Sequence, residues 1–293
     1  MSIVAIVGPT AVGKSALAVE LALAIGAEIV SADSMQVYVG MDIGTAKPSP
    51  AERRGVPHHM IDVWPPTEEV SVVAFRDRAR DAVLGAQARG AHVVLVGGSW
   101  LYVQAVLDDL DFPGTDPEVR ARLEDELVAL GPQALHARLA EVDPAAAEAI
   151  LPTNGRRIVR ALEVVELTGS FTARLPQPTP WMPATWIGLG ADRLALDARI
   201  TERVDRMWAE GLVDEVVSLR ASGIGRTASG ALGYRQVIEA LDAQADMETA
   251  RRATIDGTRK FARRQERRFR QDERVRWVTA GPSALASVLS LLR

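Results

Sequence analysis

The chain has 293 residues, of which 47% are hydrophobic, and a formal net charge of −4 at pH 7. This size and apolar fraction predict a globular protein with a large core, and no apolar run approaches the ~20 residues of a membrane-spanning helix. Cysteine is absent, which excludes disulfides, thiolate zinc sites and cysteine nucleophiles. No leader pattern opens the sequence, so we expect a cytoplasmic monomer without a membrane partner.

The first predicted elements are a strand, a phosphate-binding loop and a helix. Apolar residues 3–7 precede the loop, an apolar-periodic run follows it, and the loop itself reads Gly8-Pro9-Thr10-Ala11-Val12-Gly13-Lys14-Ser15. In this pattern the glycines let backbone N–H groups turn towards an anion, and the next helix directs its positive end there. Lys14 adds a charge and Ser15 a hydroxyl for Mg²⁺. We predict a phosphate or pyrophosphate site; the alternative is a glycine-rich turn before a helix.

A second strand is predicted at residues 28–31, with Asp33 just beyond its carboxyl end. In an open parallel sheet that edge carries the ligand crevice, so Asp33 could act there as general base or hydrogen-bond acceptor. A helix N-cap or an Asx turn explains Asp33 equally well. Residues 40–66 hold five prolines and Lys47, one of three lysines, and predict a long loop of the kind that is usually functional.

A helix at residues 72–89, capped by Ser71, leads to a buried strand at residues 93–96. That strand ends in Gly97 and Gly98, where nucleotide hydrolases and kinases often carry a Walker-B aspartate. The absence of the aspartate weakens an ATP-consuming interpretation, and the glycines indicate close approach of a ligand.

From residue 112 to about 185 the pattern is helical only. We therefore predict a core of residues 1–112 and 185–293, interrupted by a helical insertion at 113–184 that ends in a proline-rich linker at 175–183. The insertion carries arginines that either bind an anionic partner or form ordinary surface salt bridges. They are Arg120, Arg122, Arg156, Arg157 and Arg160.

The chain then resumes with a strand at residues 185–189 and a helix from Asp197, on which Arg199, Arg203 and Arg206 share one face. That face suits an anion clamp, or it faces solvent. A basic segment, residues 251–276, contains eleven basic and four acidic residues, which favours a polyanion such as nucleic acid over a solvated helix face. A strand follows at residues 275–279. The predicted fold is α/β: a P-loop NTPase-like parallel sheet flanked by helices, with an all-helical insertion domain.

Several stretches together resemble the bacterial members of the tRNA dimethylallyltransferase family, also called tRNA isopentenyltransferases. The resemblance spans nearly the whole chain. It rests on residues 8–15 (GPTAVGKS), 31–38 (SADSMQVY), 41–48 (MDIGTAKP), 58–62 (HHMID), 95–102 (LVGGSWLY), 156–163 (RRIVRALE) and 232–236 (LGYRQ). Ser99 stands where many relatives have threonine, which keeps the hydroxyl. The zinc-finger extension of eukaryotic members does not occur.

The resemblance implies transfer of a dimethylallyl group from dimethylallyl diphosphate to the N6 amine of adenosine 37 of tRNA, next to the anticodon, with Mg²⁺ as cofactor. It implies that the phosphate loop, Gly8 to Ser15, holds the donor's diphosphate, with Mg²⁺ at Ser15. The implied catalytic residues are Asp33, Lys14 and Arg203. The implied tRNA-contacting residues are Asp33, Ser34, Met35, Gln36, Ser99, Arg120, Arg156, Arg157, Arg160, Ser229, Gly233, Tyr234, Arg235 and Gln236.

Two other functions are compatible with the residues alone. One is a small-molecule or nucleoside kinase that binds ATP at the same loop, since a phosphate loop with an aspartate after the second strand is common in phosphoryl transfer. The other is a nucleic-acid-binding module with a vestigial loop.

Overall fold

The computed structural model describes residues 2–110, 112–171 and 179–293. The chain divides into two compact units, one of Met1–Asp108 with Pro180–Arg293 and one of Asp109–Thr179. The second unit begins and ends earlier than the insertion predicted at 113–184, because Asp108 and Pro180 already pair with each other in the first unit. Residues 175–178 of the predicted linker lie outside the described residues.

A sheet of parallel strands forms the centre of the first unit. Its strands are β1 (Ile3–Val7), β2 (Ala27–Ser31), β3 (His58–His59), β4 (His92–Gly97), β5 (Ala184–Gly190) and β6 (Val275–Thr279), in the spatial order β3-β2-β4-β1-β5-β6. The predicted P-loop NTPase-like α/β fold is confirmed. Strand β3 is an addition within the predicted loop, where two residues suffice to extend the edge beside β2.

Thirteen helices occur in the described part of the chain. They are α1 (Lys14–Ile25), α2 (Pro50–Arg53), α3 (Val72–Ala88), α4 (Trp100–Leu107), α5 (Pro117–Val142), α6 (Pro144–Ala149), α7 (Gly155–Thr168), α8 (Arg193–Ala209), α9 (Leu212–Ser222), α10 (Arg226–Ser229), α11 (Tyr234–Asp242), α12 (Met247–Phe269) and α13 (Ala284–Leu291). Helices α5 to α7 belong to the second unit. None of the described helices is long and apolar enough to cross a membrane.

The start of α8 differs from the prediction. The helix begins at Arg193 and not at Asp197, because the Asp192 side chain caps it by accepting hydrogen bonds from the N–H groups of Leu194 and Ala195. Asp197 therefore lies inside the helix.

Alternate side chains of the central strands enter two separate cores. Ile3, Ala5 and Val7 belong to one cluster and Val4 and Ile6 to the other, and each is at most 1% exposed. A strand buried on both faces shows no polar alternation, which explains the continuous apolar runs in the sequence.

Two glycines allow the strand ends to approach closely at the carboxyl edge. A Cβ on Gly8 would lie 2.4 Å from the carbonyl oxygen of Leu189, and one on Gly97 would lie 2.6 Å from that of Ala32. Gly97 is thus required by neighbouring backbone, which corrects the expectation that it makes room for a ligand.

The chain leaves the first unit and returns to it at adjacent points. Asp108 forms an antiparallel bridge with Pro180, and Trp181 donates its N–H to the Leu107 carbonyl at 2.8 Å. The Asp108 side chain is fully buried, and its carboxylate accepts hydrogen bonds of 2.6 and 3.0 Å from Arg274. This bidentate ion pair fixes the position of both connections.

Glu163 is the polar anchor of the second unit. Its side chain is 0% exposed and accepts hydrogen bonds from the Asp116 N–H at 3.0 Å, Arg120 Nε at 2.9 Å and Arg160 Nη1 at 2.7 Å. Burial raises the pKa of this carboxyl, but the hydrogen bonds from the two arginines outweigh it and hold the pKa below its usual value. The carboxylate therefore ties the start of α5 to α7.

Replacing Glu163 by glutamine should lower the free energy of unfolding of the second unit by about 2 kcal/mol, because two guanidinium groups lose a buried charged partner. The ~3–5 kcal/mol expected for a fully buried pair is reduced here, since the Arg120 and Arg160 side chains are 32% and 26% exposed. Calorimetry of the full chain should show a lower melting temperature.

The control is Glu148→Gln, at an exposed position of α6, which should melt like the wild type. Because folding lowers the pKa of Glu163, its contribution is present above the unfolded pKa and is lost as the pH falls. The difference between wild type and variant should therefore shrink in acid. Equal melting temperatures at neutral pH would contradict the assignment.

Candidate active site

The phosphate loop joins the carboxyl end of β1 to α1, as the sequence predicts. Gly13 has a left-handed conformation with φ of 104° and directly precedes Lys14, the first residue of α1. The unpaired N–H groups and the positive dipole end of the helix therefore lie at the loop. The Lys14 ammonium donates to the Pro9 carbonyl at 2.7 Å, which holds the charge against the loop.

Two cations share the space beside this loop. Arg203 Nη1 donates to Thr10 Oγ1 at 3.2 Å. Burial, and after it the positive charge of Arg203, lowers the pKa of Lys14 to about 7, against the opposing effect of Asp33. Burial also lowers the pKa of Arg203. A bound polyanion would relieve the repulsion between the cations, so the arrangement favours an anionic ligand.

The arginine face of α8 turns towards the loop. Arg199 Nη1 donates to the Val12 carbonyl at 3.3 Å. Together with Arg203 and Arg206, it lines one cleft with Lys14. Arg199 and Arg206 are also exposed to solvent, so the placement is compatible with both alternatives and the anion clamp stays a prediction.

Two clefts adjoin the phosphate loop. The first cleft, of about 950 Å³, contains Lys14 and Ser15 and is bounded by α8 and part of the 42–53 segment. The second cleft, of about 370 Å³, contains Asp33 and is bounded by α12. Arg203 lines both clefts. Ligands in the two clefts would therefore meet at Arg203.

Asp33 uses one oxygen for the protein and leaves the other for a ligand. Oδ1 accepts hydrogen bonds from the N–H groups of Met35 at 2.8 Å and Gln36 at 3.4 Å, which is the Asx turn considered above. Oδ2 makes no hydrogen bond within residues 2–110, 112–171 and 179–293, and the residue lines the second cleft. The turn thus fixes the orientation of the carboxylate and leaves Oδ2 available.

Some of the residues predicted to contact tRNA are accessible. Ser34, Met35, Ser99 and Arg235 line the second cleft with Asp33. Arg156 and Arg157 are exposed at the start of α7, in the second unit. The segment from Ser229 to Gly233 includes further lining residues of the second cleft, while the Ser229 hydroxyl itself donates to the Arg226 carbonyl at 3.1 Å.

Other residues predicted to contact tRNA are engaged inside the protein. Tyr234 is fully buried, Gln36 donates at 3.3 Å to the carbonyls of Thr45 and Ala46, and Gln236 accepts the Gly233 N–H at 2.9 Å. Arg120 and Arg160 hold Glu163, as described above. Contact of Tyr234 or Gln36 with tRNA would require their internal hydrogen bonds to break, whereas Arg120 and Arg160 are 32% and 26% exposed and keep further N–H donors.

Glu215 of α9 is a site residue that the sequence did not reveal. Its carboxylate accepts hydrogen bonds from three consecutive N–H groups, those of Asp42, Ile43 and Gly44, at 3.0, 2.8 and 3.2 Å. It also accepts one from the Tyr234 hydroxyl at 2.6 Å. The predicted functional loop is therefore pinned where it lines both clefts. No local pattern predicts this contact, since the partners are more than 170 residues apart.

Gln265 of α12 is a second residue that sequence analysis missed. It is only 8% exposed, and its Oε1 accepts the backbone N–H of Thr10, in the phosphate loop, at 2.9 Å. Its position inside the basic segment concealed it, because charge dominates that stretch of sequence.

The basic segment is partly neutralised by acids from outside it. Arg251 pairs with Asp205 and Glu248, and Arg274 pairs with the buried Asp108. The excess positive charge that favoured a polyanionic partner is therefore smaller in the structure than the sequence of the segment alone indicates. Arg267 remains exposed and, among the described residues, forms no ion pair.

The chain matches the family model for IPP transferase over residues 36–272. The tRNA dimethylallyltransferase of Thermobifida fusca is 58% identical to it, over 94% of this chain and 89% of the relative. The tRNA dimethylallyltransferase of Salinispora arenicola is 55% identical, over 100% of this chain and 86% of the relative.

Solved structures agree with this match. The full-length tRNA isopentenylpyrophosphate transferase of Bacillus halodurans has a TM-score of 0.74 at 40% identity, covering 99% of this chain and 95% of its own. A eukaryotic dimethylallyltransferase acting on tRNA, at 24% identity and a TM-score of 0.81 over 99% of this chain and 78% of its own, shares the fold. The resemblance seen in the sequence is thus confirmed, and the chain belongs to the IPP transferase family.

Proposed function

We propose that this chain transfers the dimethylallyl group of dimethylallyl diphosphate to the N6 amine of adenosine 37 of tRNA and releases diphosphate. The observation that carries the proposal is the position of Arg203, which lines both the cleft of the phosphate loop and the cleft of Asp33. A diphosphate in the first cleft and an amine in the second would bring leaving group and nucleophile together at Arg203. Membership of the family supports the same reaction.

A kinase that uses ATP is not favoured. Strand β4 ends in Gly97 and is followed by Gly98, and these glycines pack closely against Ala32 and Gln265. No carboxylate therefore stands where a Walker-B aspartate would hold the Mg²⁺ of a nucleotide. The most similar proteins described above are named as dimethylallyl transferases.

Stabilisation of the leaving group is the main contribution of the first cleft. As the bond between the allylic carbon and the diphosphate oxygen breaks, negative charge grows on the diphosphate. Lys14, Arg203 and the N–H groups of the loop already surround that position, so they stabilise the transition state more than the ground state.

The second cleft orients the nucleophile. The N6 lone pair forms the new bond to carbon while the amine keeps its two protons, and one proton then leaves. Asp33 Oδ2 is placed to accept that proton or to hold the N–H group in line. Because an adenine amine is a poor base, removal of the proton can follow attack.

Ser15 fits the expected Mg²⁺ cofactor. Its exposed hydroxyl lies beside Lys14 at the start of α1, and Mg²⁺ is commonly bound by one or two protein oxygens together with phosphate oxygens and water. When bound, the ion would neutralise part of the diphosphate charge. In the described part of the chain no cluster of three or more His, Cys, Asp and Glu side chains offers a separate metal site.

The tRNA substrate requires extrusion of its target base, since adenosine 37 stacks in the anticodon loop. Exposed arginines of α12 and of α7 supply positive charge for the phosphates of the anticodon stem-loop. A cytoplasmic monomer stays a prediction.

Asp33→Asn should reduce single-turnover transfer by roughly 10²- to 10⁴-fold, because the amide retains an oxygen for the Asx turn but cannot accept the proton. Transfer of labelled dimethylallyl to an anticodon stem-loop measures the rate, and a gel-shift assay should show unchanged binding of the RNA. A wild-type rate would remove Asp33 from the mechanism.

Inorganic diphosphate should bind more tightly at pH 6 than at pH 8, since Lys14, with a pKa of about 7, is a cation below that value and neutral above it. Each pH unit above the pKa should weaken binding by up to about tenfold. Calorimetric titration of wild type and Lys14→Met separates this effect from titration of the ligand itself. Parallel pH profiles in the two proteins would show that Lys14 is not the titrating group.

Arg267→Ala should weaken tRNA binding and reduce the slope of log K against log salt by about 0.7–0.9, the value expected for one lost phosphate contact. The control is Arg220→Ala, which removes a surface arginine paired with Asp242 on α9 and α11. An unchanged slope in Arg267→Ala would show that Arg267 is an ordinary solvated side chain without a phosphate contact.

A further inference from the structure

Gln265 connects the phosphate loop to the second cleft. Its side chain lies 255 positions from Thr10 in sequence, yet Oε1 accepts the Thr10 N–H at 2.9 Å. The same side chain lines the second cleft together with Asp33. One amide group therefore contacts both halves of the site.

The orientation of this amide follows from chemistry. A backbone N–H can only donate, so the atom that faces Thr10 must be the carbonyl oxygen, and Nε2 is the remaining polar atom of the amide. Within the described residues, Nε2 makes no hydrogen bond to the protein. A buried amide with a committed oxygen and an unused donor is prepared to bind an acceptor on a ligand.

Gly98 makes room for this donor. A Cβ on Gly98 would lie 2.4 Å from Gln265 Nε2, so any other residue would displace the amide. The next residue, Ser99, lines the second cleft. Gly98 is thus required for the Gln265 amide to occupy this position.

We propose that Gln265 positions the target adenine by donating a hydrogen bond from Nε2 to a ring nitrogen beside the reacting amine, N1 or N7. This inference rests on the proposed function. Adenine offers a donor, the N6 amine, flanked by these two acceptors. The second cleft is lined by Asp33, which has an unused acceptor in Oδ2, and by Gln265, which has an unused donor in Nε2. The complementary pair orients the amine, and the bond from Oε1 to Thr10 ties the base to the loop that holds the diphosphate.

The test combines one protein change with single-atom changes in the RNA. Anticodon stem-loops carry adenosine, 1-deazaadenosine or 7-deazaadenosine at position 37, and single-turnover transfer is measured with wild type, Gln265→Met and the matched control Gln87→Met on α3. Wild type should transfer to one of the two deaza bases roughly tenfold or more slowly than to adenosine, the loss expected for a buried donor left unpaired. Gln265→Met should be slow with adenosine and no slower with that deaza base. Gln87→Met should match wild type with all three.

If Gln265→Met slowed transfer to both deaza bases as much as transfer to adenosine, the losses would be additive. That result would overturn the proposal and leave Gln265 as a support for the loop. Equal rates of wild type with all three bases would also overturn it. A purely supporting role further predicts a raised KM for dimethylallyl diphosphate with unchanged preference among the bases. Absence of any transfer from wild type to adenosine would instead refute the proposed function, so the two failures are distinguishable.

Discussion

Repulsion between two cations that the protein holds together is the interaction on which the site depends. Lys14 and Arg203 lie beside one loop, and their proximity, added to burial, lowers the pKa of Lys14 to about 7. Such an arrangement is unfavourable for the protein alone and becomes favourable when an anion with several charges enters. The preference for a polyanion is therefore present before any ligand arrives, as electrostatic preorganisation requires. An arginine suits the second position because its charge persists under burial that would neutralise a second lysine.

The sheet makes this possible by bringing distant segments to one edge. Parallel pairing of β1 with β4 and β5 places the phosphate loop between two neighbouring strand ends. Gly8 and Gly97 allow backbone contacts that no other residue would permit. The charged groups then sit on a rigid base, because the strands beneath them are buried on both faces. Close packing of these strands fixes the positions of the charged groups at the carboxyl edge of the sheet.

The features that the sequence predicts are those carried by short stretches. The strand, loop and helix around Lys14 need only contiguous residues, and the apolar runs are sufficient to identify the parallel sheet. Asp33 could be placed at the correct edge. The structure shows the turn that its Oδ1 forms, and its catalytic role stays a prediction. Glu215 and Gln265 escaped because each acts across more than 170 residues, and no local spacing records such a contact. The start of α8 was misplaced since a capping aspartate, Asp192, stands close to a second aspartate that looks equally suitable.

The chain leaves the first unit after Asp108 and re-enters it at Pro180, and these two residues are adjacent. Since Asp108 bridges Pro180 and is locked by Arg274, the residues between them are closed into a loop whose two ends already touch. The entropy of closing such a loop grows only slowly with its length. A longer helical unit would thus add little to the entropy of closure, provided that the bridge that closes it is kept. The helical unit could therefore be enlarged or exchanged without altering the register of the sheet.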